Sequence, residues 1–192
     1  MHVDFSNAER LSKKFDDPER DAWQHPDEVI ERMHIPWGGS VADLGTGTGY
    51  FVERLSHAVG PKGSVLALDV EPNMVAFVQR RAAQLGLGNV QARVVAADDP
   101  GLAPASVARV LIVDTWHHID DRGRYAQKLA RALEPGGEVW VVDFTLESKR
   151  GPPPRHRLAP ERVVQELEAG GLHAEVVPGE TLPDQYIVRG VR

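Results

Sequence analysis

"VADLGTGTGYF", Val41 to Phe51, decides how the rest of this chain is read. An apolar run containing Asp43 leads into three glycines at every second position, Gly45, Gly47 and Gly49, and then into Tyr50 and Phe51. Glycine is needed where a backbone takes positive φ or where another group approaches the main chain closely, and both occur when a strand turns straight into a helix. The stretch predicts a strand over 40–44, a tight bend, and a helix beginning near Tyr50. Such a helix start offers free N–H groups and a partial positive charge to a carboxylate or phosphate. The spacing is G-x-G-x-G, not the G-x-G-x-x-G of dinucleotide turns. Asp43, two residues ahead of Gly45, would repel a pyrophosphate but can hold an ammonium. The bend therefore suits a zwitterionic amino acid.

Working outward, short β-branched runs alternate with helical patterns, the signature of βα units and a parallel sheet. Strands are predicted at "SVLALD" (64–69), "VQARVV" (90–95), "RVLIVD" (109–114) and "EVWVVDF" (138–144), with two more near "HAEVV" (173–177) and "QYIVRGV" (185–191). In open parallel sheets the ligand crevice lies outside the carboxyl ends of the strands, so Asp69, Asp114 and Asp143 are expected at one opening. Met74, Phe77, Val78, Arg81, Ala82 and Leu85 recur at helical spacing between Pro72 and Gly86, giving one sheet-facing stripe. Tyr125, Leu129, Ala132 and Leu133 give another, closed by "EPGG" (134–137). A further helix is predicted from about Pro160 to Ala169. Residues 1–39 carry Trp23, Val29, Met33 and Trp37 among many charges. They are expected to form a helical segment that covers a sheet edge or acts as a lid over the ligand, with 40–192 as the main domain.

The chain resembles the class I S-adenosylmethionine-dependent methyltransferases, in particular the small ubiquinone/menaquinone-biosynthesis type. The resemblance spans about 40–171 and rests on "DLGTGTG", "LALDVEPNM", "AADDPGL", "VDTWHHI" and "LEPGGEVWVVDF", in that family's order. It implies an α/β, Rossmann-like, doubly wound and mostly parallel seven-stranded sheet with helices on both faces, and S-adenosyl-L-methionine as cofactor. On that resemblance Asp69 accepts the ribose hydroxyls, Val70 and Met74 flank the adenine, and Asp98 accepts its exocyclic amine beside the Asp99 backbone N–H. Gly45 and Gly47 lie against the methionine portion and Asp43 holds its ammonium, with Thr46, Thr48 and Tyr50 close by and Asp114 facing the same site. Taken singly, Asp43 could instead cap the bend, and Asp98–Asp99 before Pro100 could be ordinary turn chemistry.

The acceptor side is read from "DTWHHI". His117 and His118 are candidate general bases because imidazole titrates near neutral pH, although histidines here also cap helices. Trp116 is either a stacking wall for a flat substrate or core. Asp143 either reaches an acceptor group or pairs with a basic residue such as Lys149. Asp114, His117, His118, Asp120 and Asp121 invite a metal reading that is set aside, because adjacent histidines seldom aim at one ion and no third helically spaced ligand follows; no metal is expected. The tract 149–157, "KRGPPPRHR", is either an anion clamp or a solvated loop. His25 precedes Pro26 and could enter the pocket from the lid.

Composition narrows the acceptor. The 192 residues suit one domain. Without cysteine there is no thiol nucleophile. "DTWH" stands where amino-purine and amide methylases carry Asn/Asp-Pro-Pro-Tyr. A net charge of −6 disfavours a polyanion, so no nucleic acid partner is expected. The opening lacks the apolar core of a signal peptide and no run approaches a membrane span, which leads to the expectation of a soluble, cytoplasmic protein with no membrane partner. A small-molecule methyl acceptor is the leading reading. A non-catalytic S-adenosylmethionine binder and a nicotinamide-dependent oxidoreductase are the alternatives. The oligomeric state is not legible.

Overall fold

A computed structural model describes residues 8–178 and 182–192, so the first seven residues of the expected N-terminal segment lie outside the described residues. The main sheet has seven strands: β1 (Ser40–Leu44), β2 (Ser64–Asp69), β3 (Val90–Val94), β4 (Val107–Val113), β5 (Leu133–Phe144), β6 (His173–Val176) and β7 (Gln185–Val191). Their order is β3-β2-β1-β4-β5-β7-β6. β3 to β5 pair in parallel, and β7 runs antiparallel to both of its neighbours. This is the expected doubly wound arrangement. The chain order reverses between β1 and β4, so the crevice opens outside their carboxyl ends.

Strands buried on both faces explain the apolar runs in the sequence. Alternate residues feed two layers. Val41, Leu111, Val113 and Val142 pack with Val29 of α3 (Pro26–Arg32), with Met33 just after it, and with Leu55 and Val59 of α4 (Val52–Val59). Ala42, Leu44, Val110, Ile112 and Val141 pack on the other face with Tyr125 and Leu129 of α6 (Arg122–Ala132) and with Val163 and Leu167 of α7 (Pro160–Ala169).

Three local expectations are corrected. The helix after the glycines begins at Val52, after a turn through Gly49–Phe51. The stripe on α5 (Pro72–Gln84) does not face the sheet as a whole. Val78 packs with Val52 and Ala67, whereas Met74 and Phe77 face Ala8 and Leu11 of α1 (Ala8–Phe15), and Leu85 is exposed. Two apolar partners compete for one helix, and its wide stripe serves both. "EPGG" ends α6 but does not separate it from the strand. β5 starts at Leu133, pairs with Val107, and resumes pairing at Glu138, so 134–137 form a bulge inside the strand.

The N-terminal segment crosses the carboxyl edge of the sheet. After α1 come a 3-10 turn (Pro18–Arg20) and α2 (Asp21–Gln24). It is tied down on both sides. Asp16 bonds the Thr48 hydroxyl at 2.9 Å and pairs with Arg81 at 2.8 Å, Asp21 accepts from the Tyr50 hydroxyl and pairs with Arg54, and buried Gln24 donates to buried Gln185 of β7.

Candidate active site

The bend after β1 is set by the backbone. The amides of Gly45 and Thr46 both donate to the Leu68 carbonyl, at 2.8 and 3.0 Å, which pins the bend to the end of β2. Gly45 has φ +72°, and an added Cβ would lie 2.3 Å from the Thr115 hydroxyl oxygen of the β4 side, so no other residue fits. The bend thus touches the segment after β4 across the point where strand order reverses. Gly47 also has positive φ, +53°, and the nearest side chain above it is Phe15, at 4.0 Å from where a Cβ would sit.

Two carboxylates flank the bend. Asp43 is buried and accepts the Thr46 hydroxyl at 2.7 Å. Burial pushes its pKa up to about 6, opposed by the Thr46 bond and assisted by the charge of Asp69. Asp69, at the end of β2, accepts the Gly47 amide at 2.8 Å on one oxygen and the Glu71 amide at 2.9 Å on the other. A carboxylate has about four acceptor sites, so these amide bonds leave capacity for a ribose hydroxyl. Its pKa is raised by burial against those amide bonds.

The remaining cofactor-side residues divide. Val70 is half exposed at this edge, an apolar surface available to a ring. Met74 is buried beneath α1 with Ala8 and Leu11, so it supports the covering segment. The Asp98 carboxylate is exposed, its nearest cation being Lys128 at 4.0 Å, whereas Asp99 pairs with Lys128 at 2.9 Å and accepts the Gly101 amide at 2.8 Å. Those two contacts hold the Asp99 carboxyl below its usual range. Tyr50 is buried, and burial together with its bond to Asp21 raises the phenol pKa.

On the β4–β5 side a 3-10 turn spans Trp116–His118. Trp116 is fully buried core, and its indole N–H donates to Glu166 of α7 at 2.9 Å. Glu166, itself buried, also accepts from Arg122 at 2.8 Å and Arg162 at 2.7 Å, which satisfies a carboxylate that would otherwise be costly inside the protein. Pinned in this way, the turn aims His117 inward. Its Nδ1 lies 3.0 and 3.2 Å from the two oxygens of Asp143 and 4.0 Å from Asp114. The His117 side chain is 2% exposed and Asp143 is fully buried, with one oxygen also accepting the Phe144 amide at 2.8 Å. Burial acts to lower the His117 pKa, but the Asp143 bond and charge, with Asp114, outweigh it and the net shift is upward. Asp143 therefore pairs with His117, 26 residues away, and not with Lys149. His118 is exposed, with its ring 4.2 Å from that of His117.

Asp114 has φ +50°, a left-handed conformation that Asp tolerates better than most residues. Asp114, His117 and Asp143 each offer a ligand atom within 4.8 Å of the others, a grouping that could hold a metal ion. The third ligand comes from the next strand, which helical spacing within "DTWHHIDD" does not reveal. In the basic tract, Arg157 donates to the carbonyls of Leu146 and Pro152 and Arg150 pairs with Asp184, so both tie the loop itself together. His25 starts α3 at φ +45° and lies 3.8 Å from Glu28. Sequence reasoning missed Glu166, Thr115, Arg20 and the paired Asp16 and Asp21. Each makes at least one contact with a residue distant in the chain, and no local motif marks them.

The family described as a methyltransferase domain matches residues 41–137, the span from the glycine bend to the start of the last parallel strand. The chain belongs to that family. A crystal structure of an S-adenosylmethionine-dependent methyltransferase from Aquifex aeolicus superposes with a TM-score of 0.88 at 28% identity, covering 96% of this chain and 98% of that one. The ubiquinone/menaquinone biosynthesis C-methyltransferase of Pasteurella multocida is 29% identical over 118 residues, 61% of this chain and 44% of that protein. An uncharacterised methyltransferase of Mycobacterium bovis is 33% identical over 133 residues, 69% of this chain and 51% of that protein. The chain spans about half the length of the curated relatives it matches. The class I S-adenosylmethionine-dependent methyltransferase family implied by the motifs is thus the one that the comparisons identify, with S-adenosylmethionine as its cofactor. Among the described residues no helix is long and apolar enough to cross a membrane.

Proposed function

We propose that this chain transfers a methyl group from S-adenosylmethionine to a small-molecule acceptor that loses a proton to His117. The observation that carries the reading is the buried His117–Asp143 pair, 3.0 Å apart, at the end of the strands next to the glycine bend. The residues fit the cofactor: a bend that tolerates no Cβ, a ribose-ready carboxylate at Asp69, and a buried acid at Asp43 for an ammonium. Gly45, Thr46 and Gly47 border its amino-acid end with Tyr50 and Asp114, and Val70 and Asp98 border the adenine, whereas the Asp99 amide donates to the Ala96 carbonyl at 3.2 Å.

When bound, the cofactor supplies an electrophilic methyl on a sulfonium whose departure as a neutral thioether needs no acid. The chain's own task is to position the acceptor and to take its proton. In the tautomer with Nδ1–H donating to Asp143, the Nε2 atom of His117 is the free acceptor, and Asp143 stabilises the imidazolium that results. His117 is favoured over His118 because only its ring is oriented by a buried carboxylate. The 3.0 Å contact between Nδ1 and a carboxylate oxygen supports Nδ1–H as the donor. Residues 8–39 act as the lid, since they bridge the cofactor side through Thr48 and Tyr50 and the acceptor side through Gln185.

Calorimetric titration with S-adenosylhomocysteine and with NAD tests the reading, together with transfer of labelled methyl from S-adenosylmethionine into a pool of small metabolites. Binding of the first ligand only, with label entering a low-molecular-weight product, is expected. Binding of NAD would sink the proposal. Cofactor binding without any labelled product would favour a non-catalytic binder.

A further inference from the structure

The amino-acid end of the cofactor carries a carboxylate, and several amides of the glycine bend are already committed. Those of Gly45 and Thr46 donate to Leu68, that of Gly47 to Asp69, that of Gly49 to Thr46, and that of Val52 to Gly49. Asp43 and Asp114, which border the same place, are acids and offer a carboxylate no opposite charge. A cation would complement that carboxylate, and the N-terminal segment carries one close to the bend.

Arg20 ends the 3-10 turn before α2. Its guanidinium stacks over the Tyr50 ring, 3.8 Å from the centroid, just past the last glycine of the bend. Its hydrogen bonds go to neutral oxygens, the Phe15 carbonyl at 2.8 Å and the Gln24 side chain at 3.2 and 3.4 Å. Burial lowers its pKa, and the charges of Tyr50, Asp114, Asp16 and Asp43 act against that burial. Those hydrogen bonds use three of the five guanidinium N–H groups, and stacking on an aromatic face leaves the other two to reach a carboxylate.

We propose that Arg20 is a cofactor-binding residue, whose guanidinium takes the carboxylate of S-adenosylmethionine from the N-terminal segment. The assignment rests on the cofactor placement given above. It makes the segment part of the binding site and joins its ordering to cofactor binding, because ligand and segment then share one charge-assisted contact.

The test compares two ligands that differ in the group concerned. S-adenosylhomocysteine carries the amino-carboxylate, and 5′-methylthioadenosine keeps the nucleoside and thioether without it. By calorimetry, Arg20→Ala is expected to weaken S-adenosylhomocysteine tenfold or more while changing 5′-methylthioadenosine less than twofold. Arg20→Lys, which retains a point charge but not the fork, is expected to fall between. Gln24→Ala loosens the same segment without removing the cation and is expected to affect both ligands equally. Equal loss of both ligands in Arg20→Ala, or no loss, would overturn the assignment. Failure of the wild-type protein to bind S-adenosylhomocysteine would instead overturn the cofactor placement beneath it.

Discussion

The two halves of the sheet's carboxyl edge are assembled over different reaches of chain. On the β1–β2 side the working groups lie near one another in sequence: Asp43 meets Thr46 three residues on, Asp69 meets the Glu71 amide two residues on, and Asp69 reaches Gly47 across 22. On the β4–β5 side His117 meets Asp143 across 26 residues, Trp116 meets Glu166 across 50, and Gln24 meets Gln185 across 161. The first half works through strand ends and amides, so one motif nearly specifies it. The second works through side chains locked by packing, and its chemistry is tunable without touching the first. Cofactor capture and acceptor chemistry are therefore expected to fail separately.

The largest expected effect tests that separation directly. His117→Ala removes the base and is expected to lower the methyl-transfer rate by roughly 10²–10⁴-fold, with S-adenosylhomocysteine affinity unchanged by calorimetry. If affinity fell in parallel, the two halves would not be independent. Asp143→Asn adds a pH signature. Because the carboxylate acts to hold the His117 pKa up, the amide lets it drop, and the rise of activity with pH is expected to move to lower pH.

Next comes Asp69→Ala. It removes two ribose bonds to a charged acceptor, about 1.5–3 kcal/mol each, and is expected to weaken S-adenosylhomocysteine correspondingly while leaving the pH dependence of any residual turnover in place. A shifted pH profile in that variant would join the halves again.

The smallest effect is on stability. The pKa of Asp43 is raised from 3.8 to about 6 by burial. A raised folded-state pKa contributes stability that is present below the unfolded value and lost as pH rises through about 6. Asp43→Asn is thus expected to stabilise the ligand-free protein by about 1–3 kcal/mol above neutral pH, an advantage that vanishes near pH 4, and to weaken S-adenosylhomocysteine. Thermal unfolding at the two pH values reads the first part. No gain at high pH would mean that the buried carboxylate is better compensated than the Thr46 bond and the Arg20 charge allow.

What was legible follows the same division. Strand positions could be read because residues buried on both sheet faces must be apolar and β-branched, and "SVADL", "SVLALD" and "QYIVRGV" have the bounds the sequence suggested. The α5 stripe was legible as a helix but not in its partners, because periodicity reports which residues avoid water and not whether a sheet or another helix covers them. Trp116 shows the limit at a single residue. "DTWHHI" is equally compatible with a substrate wall and with core, and only the Glu166 carboxylate, brought alongside by α7, decides for core.

By itself, the sequence determined the doubly wound sheet, the glycine bend and the acids at strand ends, because each follows from local backbone sterics and from the burial pattern of a strand. Tertiary structure alone decided which histidine is oriented, that Asp143 is its partner, and that Arg20 of a covering segment stands over Tyr50. Those are contacts between groups far apart along the chain, fixed by packing geometry, which residue order does not encode at any short range.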